Sequence, residues 1–333
     1  MTKHWTPDEL GELTRGFQLP AILLAAAELD IFSALASRHQ TADELAMTLG
    51  ADRRGLTILL DSLAATDLLV KTGNQYAPAP GTETLLTAGA PESMRSMARH
   101  LAVCMRHWSQ LARVVKTGQR ADREPGVLGA AGELEAFIEA MDDVSRHAAP
   151  PLVKALGNLG FSHLLDVGGG PATYTIEFLK NAPASARATL FDLPDVLPIA
   201  RKHLAAAGLL DRCTLVGGNF DADPALPAGA DLAWVSAIIH MNSPEENRRL
   251  YAKVHKALLP GGRVLVRDIV MAPPRTRPVM GALFAVNMLA NTPGGNSYTL
   301  QEISSDLLSA GFTNPSLLHD DPGMSCVVSA TRP

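Results

Sequence analysis

The stretch His163-Leu164-Leu165-Asp166-Val167-Gly168-Gly169-Gly170 constrains this chain most, because an apolar run of strand length empties into three successive glycines. Glycine turns through backbone conformations closed to other residues, and it lets a ligand approach where a Cβ would collide. Further on, a second apolar run ends in Phe191-Asp192-Leu193-Pro194. An acid at the tip of the neighbouring strand can accept hydrogen bonds from both hydroxyls of a ribose. Strand, glycine turn and acid-tipped strand together predict a site for an adenosine-bearing cofactor.

From Phe161 onward, strand-like and helix-like segments alternate. Strands are expected over 163–167, 188–192, 213–216, 232–239 and 263–270, with shorter ones at 316–319 and 325–330. Helical segments between them predict an α/β fold with a doubly wound, mostly parallel, seven-stranded Rossmann-like sheet. Ligands of such sheets bind beyond the carboxyl ends of the strands. Asp166, Asp192, Asn219, His240 and Asp268 all fall at or just past such ends.

The first third is helical in pattern. Leu19, Ile22, Leu23, Ala26, Leu29 and Ile31-Phe32 recur at helical spacing. Thr41 is placed to cap a helix that carries Asp43 and Glu44 in its first turn and stops at Gly50. A helix over 52–66 presents Leu56, Leu59, Leu60 and Leu63 on one face, and 68–71 and 75–77 frame a turn. Helix, turn, helix and hairpin form a winged-helix pattern. Between about 91 and 157, long helices carry the stripes Met94, Met97, Leu101, Met105, Trp108 and Leu134, Phe137, Ile138, Met141. Such stripes are either core or a flexible wall for a small molecule. The expected division is an N-terminal domain over 1–95, a helical linker over 96–157 and a cofactor-binding domain over 158–333.

Composition narrows the function classes. A hydrophobic share of 47% with 19% charged residues permits a large buried core, and a net charge of −5 argues against general affinity for nucleic acid. Cys104, Cys213 and Cys326 are widely spaced, with no CxxC pair for zinc. His100, His107, His147 and His255 show no ligand spacing, and Asp221 with Asp223 reads as a loop, so no metal site is expected. The polar start and the shortness of the longest apolar stretch, 19–27, lead to the expectation of a cytoplasmic protein without a membrane segment.

A dinucleotide site would want GxGxxG, but Thr173 occupies the third glycine position. S-adenosyl-L-methionine, which has no pyrophosphate to cradle, is the alternative. The motifs now gather. Leu165-Asp166-Val167-Gly168-Gly169-Gly170, Phe191-Asp192-Leu193-Pro194, Gly217-Gly218-Asn219-Phe220, Leu259-Pro260-Gly261-Gly262-Arg263, and Met288-Leu289-Ala290 with Pro293-Gly294-Gly295 follow in order. In these the chain resembles the class I O-methyltransferases of the caffeate and isoflavone type and their bacterial relatives. The N-terminal part is similar to that family's winged-helix dimerisation domain, which implies a homodimer.

The resemblance implies further roles. Gly168 and Gly170 would approach the methionine moiety, Asp192 would hold the ribose, and Leu193 would pack on adenine. Asn219 and Phe220 would line the adenine edge, and Ser236 would lie near the cofactor. His240 matches the catalytic histidine and Asp268 an acid that orients it. Met141, Asn287, Met288 and Asn291 would face a flat aromatic or polycyclic acceptor. The chain departs from the family pattern at Pro171-Ala172 (usually Thr-Gly), at Asn219 (usually Asp), at Met241-Asn242 (often Asp-Trp) and at Ser297, where a second acid is expected.

Read on residues alone, His240 is either a packing histidine or a base, and Asp268 either a partner of Arg267 or lysine, or the group that orients the base. Three other functions compete. A non-methylating enzyme on the same fold and cofactor, such as a decarboxylase, hydroxylase or rearrangement catalyst, fits the loss of the second acid. A winged-helix DNA-binding regulator is disfavoured because Arg53 and Arg54 share their helix with Asp52 and Asp61 and the hairpin offers only Lys71. A nicotinamide oxidoreductase is disfavoured by Thr173.

Overall fold

The computed structural model describes residues 3–333. The chain forms two compact units, one of Met1–Arg106 with Arg123–Asp143, the other of His107–Asp122 with Val144–Pro333.

The first unit opens with α1 (Pro7–Arg15), α2 (Gln18–Glu28) and α3 (Ile31–Ala36). Thr41 starts α4 (Ala42–Leu49) in a capping box with Glu44, and Gly50 ends it in the left-handed conformation at φ 62°. The box satisfies two backbone N–H groups that a helix start leaves open, and glycine reaches positive φ without strain. α5 (Arg53–Ala65) buries Leu56, Leu60 and Leu63. β1 (Gln40–Thr41), β2 (Leu69–Thr72) and β3 (Gln75–Pro78) form a small antiparallel sheet in the order β1-β3-β2. Helix, turn, helix and hairpin thus enclose one core with Ile31, Phe32, Leu35 and Leu45.

After the short α6 (Thr82–Leu86), α7 (Arg95–Trp108) and α9 (Gly129–Leu156) are the expected long helices, with the short α8 (Leu111–Thr117) between them. The buried face of α7 differs from the methionine stripe. Ala98 and Ala102 pack on Leu24 and Ala27 of α2, while Leu101 is 45% exposed. Small residues let two helices approach closely, and this moves the buried face round by one position. Leu134 and Leu19 are exposed as well.

The second unit runs through β4 (His163–Val167), α10 (Thr173–Lys180), β5 (Arg187–Asp192), α11 (Leu197–Ala206), β6 (Cys213–Gly217), β7 (Ala230–Ser236), α12 (Pro244–Ala257) and β8 (Leu258–Asp268). β9 (Val270–Met271), α13 (Val279–Asn291), β10 (Tyr298–Thr299), α14 (Leu300–Ser309), β11 (Thr313–His319) and β12 (Cys326–Thr331) complete it. Seven strands form one sheet in the order β11-β12-β8-β7-β4-β5-β6. β4 to β8 run parallel, and β12 and β11 return antiparallel at one edge.

Successive strand residues point to opposite faces. Leu164, Leu190, Trp234 and Leu265 join a core with Leu152 of α9, Phe178 of α10 and Leu204 of α11. Leu165, Val235, Val264 and Val266 join the other core with Val254 of α12 and Leu307 of α14. Both faces are therefore covered, which explains the near-continuous apolar runs.

Two strand ends differ from expectation. β7 stops at Ser236 rather than 239, because Ala237 turns the chain at φ 56°. β8 already begins at Leu258, and the Pro-Gly-Gly stretch expected as a turn lies in an irregular strand entry, with a register shift opposite Ala230 and Leu232. Among the described residues no helix is long and apolar enough to cross a membrane.

Leu307 of α14 is fully buried and its neighbour Leu308 is 53% exposed. Leu307→Ala should cost about 2–5 kcal/mol, and Leu308→Ala no more than about 0.5 kcal/mol. Chemical denaturation of the two variants checks the contrast.

Candidate active site

The glycine turn is pinned to the next strand, since the Gly168 N–H donates to the Phe191 carbonyl at 2.8 Å. A Cβ on Gly168, at φ 68°, would meet Ile238 Cδ1 at 2.5 Å, and one on Gly169 would meet Leu190 Cγ at 2.6 Å. These two glycines are required by packing. Gly170 is different, because nothing lies within 4 Å of where its Cβ would stand. Its backbone borders open space that a bound group can enter. Ala172, buried and at φ 69°, holds the left-handed conformation at the position where the resemblance leads to the expectation of glycine. A residue with a Cβ is strained there by roughly 1–2 kcal/mol.

Asp192 closes the other side of the turn. Its Oδ2 accepts the Gly170 N–H at 2.7 Å and its Oδ1 the Leu193 N–H at 2.7 Å. Burial raises its carboxyl above the ordinary range, and the two N–H bonds pull it back. Leu193 beside it is 46% exposed, an apolar side chain left open next to a carboxylate. Phe220 is half-buried against the core, and its ring reaches the Gly168 turn. Asn219 spends its side-chain oxygen on its own loop, accepting the Asp221 N–H at 2.8 Å.

His240 lies past the end of β7, in the single turn Ile239–Met241. Its Nδ1 stands 3.0 and 2.9 Å from the two carboxylate oxygens of Asp268, which ends β8. A carboxylate only accepts, so Nδ1 carries the hydrogen. Nε2 has no hydrogen-bond partner among the described residues. Phe284 of α13 meets the imidazole edge-on, with ring centres 4.8 Å apart at 87°. Asp268 is 2% exposed and also accepts the Ile269 N–H at 2.8 Å. The reading of Asp268 as a surface ion pair with Arg267 or a lysine is therefore wrong; it is buried against His240. The loop after α13 locks the histidine backbone, since the Asn296 N–H donates to the His240 carbonyl at 2.9 Å. A side chain on Gly295 would collide with that carbonyl.

Other expected site residues are engaged elsewhere. Asn287 accepts the Trp108 indole N–H at 2.8 Å, Asn291 donates to Asn287, and Asn291 also bonds His107. The polar ends of both asparagines thus tie α13 to Trp108 and His107. Met288 is buried on α13. Met141 lies half-buried in α9, within the first unit. Ser297 is buried and donates to the Gly281 carbonyl at 2.9 Å. Ser236 accepts from Arg267 Nη1 at 3.1 Å. Sequence reasoning missed Phe284 as a partner of the histidine, and it missed that Arg267 is buried. The one signal for Arg267 was a charge inside the apolar run of β8. Among the described residues no cluster of His, Cys, Asp or Glu is placed to hold a metal ion.

Asp166 lies under the turn, 1% exposed, accepting the Thr175 hydroxyl at 2.5 Å. Burial pushes its carboxyl up to about 7, with the Thr175 bond opposing and the Asp192 charge adding. The folded chain therefore holds this proton where the unfolded chain, with a pKa of about 3.9, has released it. Stability contributed at low pH is lost as pH rises from about 4 to about 7. Asp166→Asn should flatten that loss, so its denaturation midpoint relative to wild type should be higher at neutral pH than at pH of about 4.

Comparison with known proteins bears on this arrangement. Residues 128–313 match the O-methyltransferase domain, and residues 11–88 match the O-methyltransferase dimerisation domain. The chain is 32% identical over 314 residues to the tetracenomycin polyketide synthesis 8-O-methyl transferase TcmO of Streptomyces glaucescens, with 92% of each chain covered. It is 30% identical over 335 residues to the 3-hydroxy-5-methyl-1-naphthoate 3-O-methyltransferase of Streptomyces sahachiroi, covering 98% of this chain and 95% of that one. The crystal structure of human N-acetylserotonin methyltransferase in complex with SAM has the same fold, with a TM-score of 0.81, 24% identity, and 100% and 99% of the two chains covered. By its two matched domains and its near full-length similarity to such enzymes, the chain belongs to the O-methyltransferase family.

Proposed function

We propose that this enzyme is an S-adenosyl-L-methionine-dependent O-methyltransferase acting on a hydroxyl of a small aromatic or polycyclic metabolite, with His240 as general base. The observation that carries the reading is the buried pair in which Asp268 holds His240 Nδ1 at 2.9 Å while Nε2 stays unpartnered. Relatives named for a polyketide and a naphthoate support a flat aromatic acceptor.

The residues around the glycine turn fit the donor. The open space at Gly170 admits a group close to the backbone, the Asp192 carboxylate suits two ribose hydroxyls, and exposed Leu193 offers an apolar face for adenine. Gly168 keeps the turn open, Phe220 and Asn219 flank the adenine edge, and Ser236 stands near the amino-acid tail. Bound there, S-adenosyl-L-methionine supplies an activated methyl group on a sulfonium.

The chain's own residues supply position and a proton acceptor. A phenol with a pKa of about 10 is mostly neutral at cellular pH. Because Asp268 accepts from Nδ1, the lone pair of Nε2 is directed outward to take the acceptor's proton. The same carboxylate stabilises the imidazolium that results. Phe284 packs against the imidazole and limits its rotation. The hydroxyl of Ser297, where the family resemblance expects a second acid, is buried and spent on the Gly281 carbonyl. Met288 faces the acceptor in this reading, whereas Asn287 and Asn291 hold α13 in place. The absence of a second acid at Ser297 also favours a second reading, in which the same fold and cofactor serve a reaction other than methyl transfer.

A homodimer through the N-terminal domain belongs to the same proposal. Leu10 and Leu13 on α1, Phe17 between the helices and Leu19 on α2 are 46%, 62%, 63% and 49% exposed, an apolar surface that calls for a partner.

Incubation with methyl-labelled donor and a panel of hydroxylated polycyclic aromatics should place label on oxygen. Label transferred to no acceptor by a chain that binds the donor would instead favour the non-methylating reading. His240→Ala should lower kcat by about 10²–10⁴-fold, with binding of S-adenosylhomocysteine unchanged by calorimetry. Light scattering should give twice the chain mass, and Leu13→Asp with Phe17→Asp should shift it toward the monomer.

A further inference from the structure

Arg267 has a setting that the reaction described so far does not use. It lies within apolar β8 and is 5% exposed. A guanidinium stays charged in a protein, and burying it without a counter-ion is costly. Its neighbour Asp268 points to the opposite face of the strand and is engaged with His240. Asp321 acts on Arg267 only from beyond ion-pairing distance. The one side-chain hydrogen bond of Arg267 runs from Nη1 to Ser236 Oγ at 3.1 Å, and Nε is buried without a partner. The guanidinium lies over the Tyr174 ring at 4.8 Å, and Tyr174 rests against Trp234 at 5.1 Å. Tyr174 Oη and Trp234 Nε1 are likewise buried and unpartnered. Three hydrogen-bond donors, one of them on a cation, are thus left without acceptors in one cluster.

The place of this cluster identifies its ligand. Val235 pairs with Val167, the last residue before the glycine turn, so Ser236 stands alongside Gly168. Arg267 pairs with Ser236. Tyr174 lies in the first turn of α10, which follows the glycine turn directly. The cation therefore borders the glycine turn on the α10 face, while His240 and Asp268 occupy the α12 side. An acceptor beside His240 lies on the wrong face to reach it. A planar guanidinium matches a carboxylate with two parallel hydrogen bonds.

We infer that Arg267, positioned by Ser236, binds the α-carboxylate of the donor's amino-acid tail. This rests on the reading of the glycine turn as the S-adenosyl-L-methionine site. The fit of an anion there neutralises the buried cation and gives its unpartnered Nε an acceptor. Arg267 then fixes the far end of the donor, as Asp192 fixes its ribose.

The test is calorimetry on the full chain with two ligands, S-adenosylhomocysteine and its decarboxylated analogue S-adenosylthiopropylamine, which lacks only the carboxylate. Wild type should prefer the first by about tenfold or more, the size expected of a charge-assisted hydrogen bond. Arg267→Met should abolish the preference by weakening the first ligand alone, and Arg267→Lys should restore part of it. Thermal melts establish that the variants are folded. Should Arg267→Met fail to fold, Ser236→Ala, which frees the guanidinium, should still reduce the preference. Equal affinity of wild type for the two ligands, or equal weakening of both by the variants, overturns the inference while leaving the donor site intact. Binding of neither ligand by wild type overturns the donor site itself.

Discussion

A sheet covered on both faces leaves little room for polar chemistry except along its carboxyl edge. In the second unit β4, β5, β7 and β8 are buried almost throughout, with one core on each side. Most polar groups of the candidate site stand where one of these strands runs out. The glycine turn follows β4, Asp192 ends β5, Ser236 ends β7, and Arg267 and Asp268 end β8. The strands are rigid and closely paired, so side chains at their tips are held with little freedom. Such positioning is a large part of what an enzyme provides when the reacting group arrives already activated.

Much of this was legible in the sequence. Continuous apolar runs mark strands buried on both sides, and all seven were located to within a few residues. Capping residues spoke for themselves: Thr41 with Glu44 starts α4 and Gly50 stops it. The glycines at 168–170 and Asp192 pointed to a tight turn against the next strand; packing accounts for Gly168 and Gly169, and only Gly170 borders open space.

What escaped was decided by distant partners. Trp108 and Asn287, or His107 and Asn291, meet across nearly the whole length of the second unit, and no local spacing reveals that these asparagines are already satisfied. The exposed Leu101 reflects the packing of Ala98 and Ala102 of α7 on Leu24 and Ala27 of α2, a contact between helices far apart in sequence. The end of β7 depended on Ala237 adopting a conformation disfavoured for alanine, which propensity argues against. Read on the residues alone, Asp268 could partner Arg267 or His240, and only the family resemblance favoured the histidine. That choice is made by which way the pleat faces.

The alternation along β8 has an evolutionary corollary. Its partners pair it residue for residue on both sides near its end, Ser236 with Arg267 on one and Cys326 with Asp268 on the other, while the irregularity that absorbs length lies at its beginning. An insertion or deletion of a single residue beyond that point would swap a cation for the anion now facing the imidazole, silencing the proton acceptor without unmaking the fold. Length changes in this strand should therefore be tolerated only before residue 263.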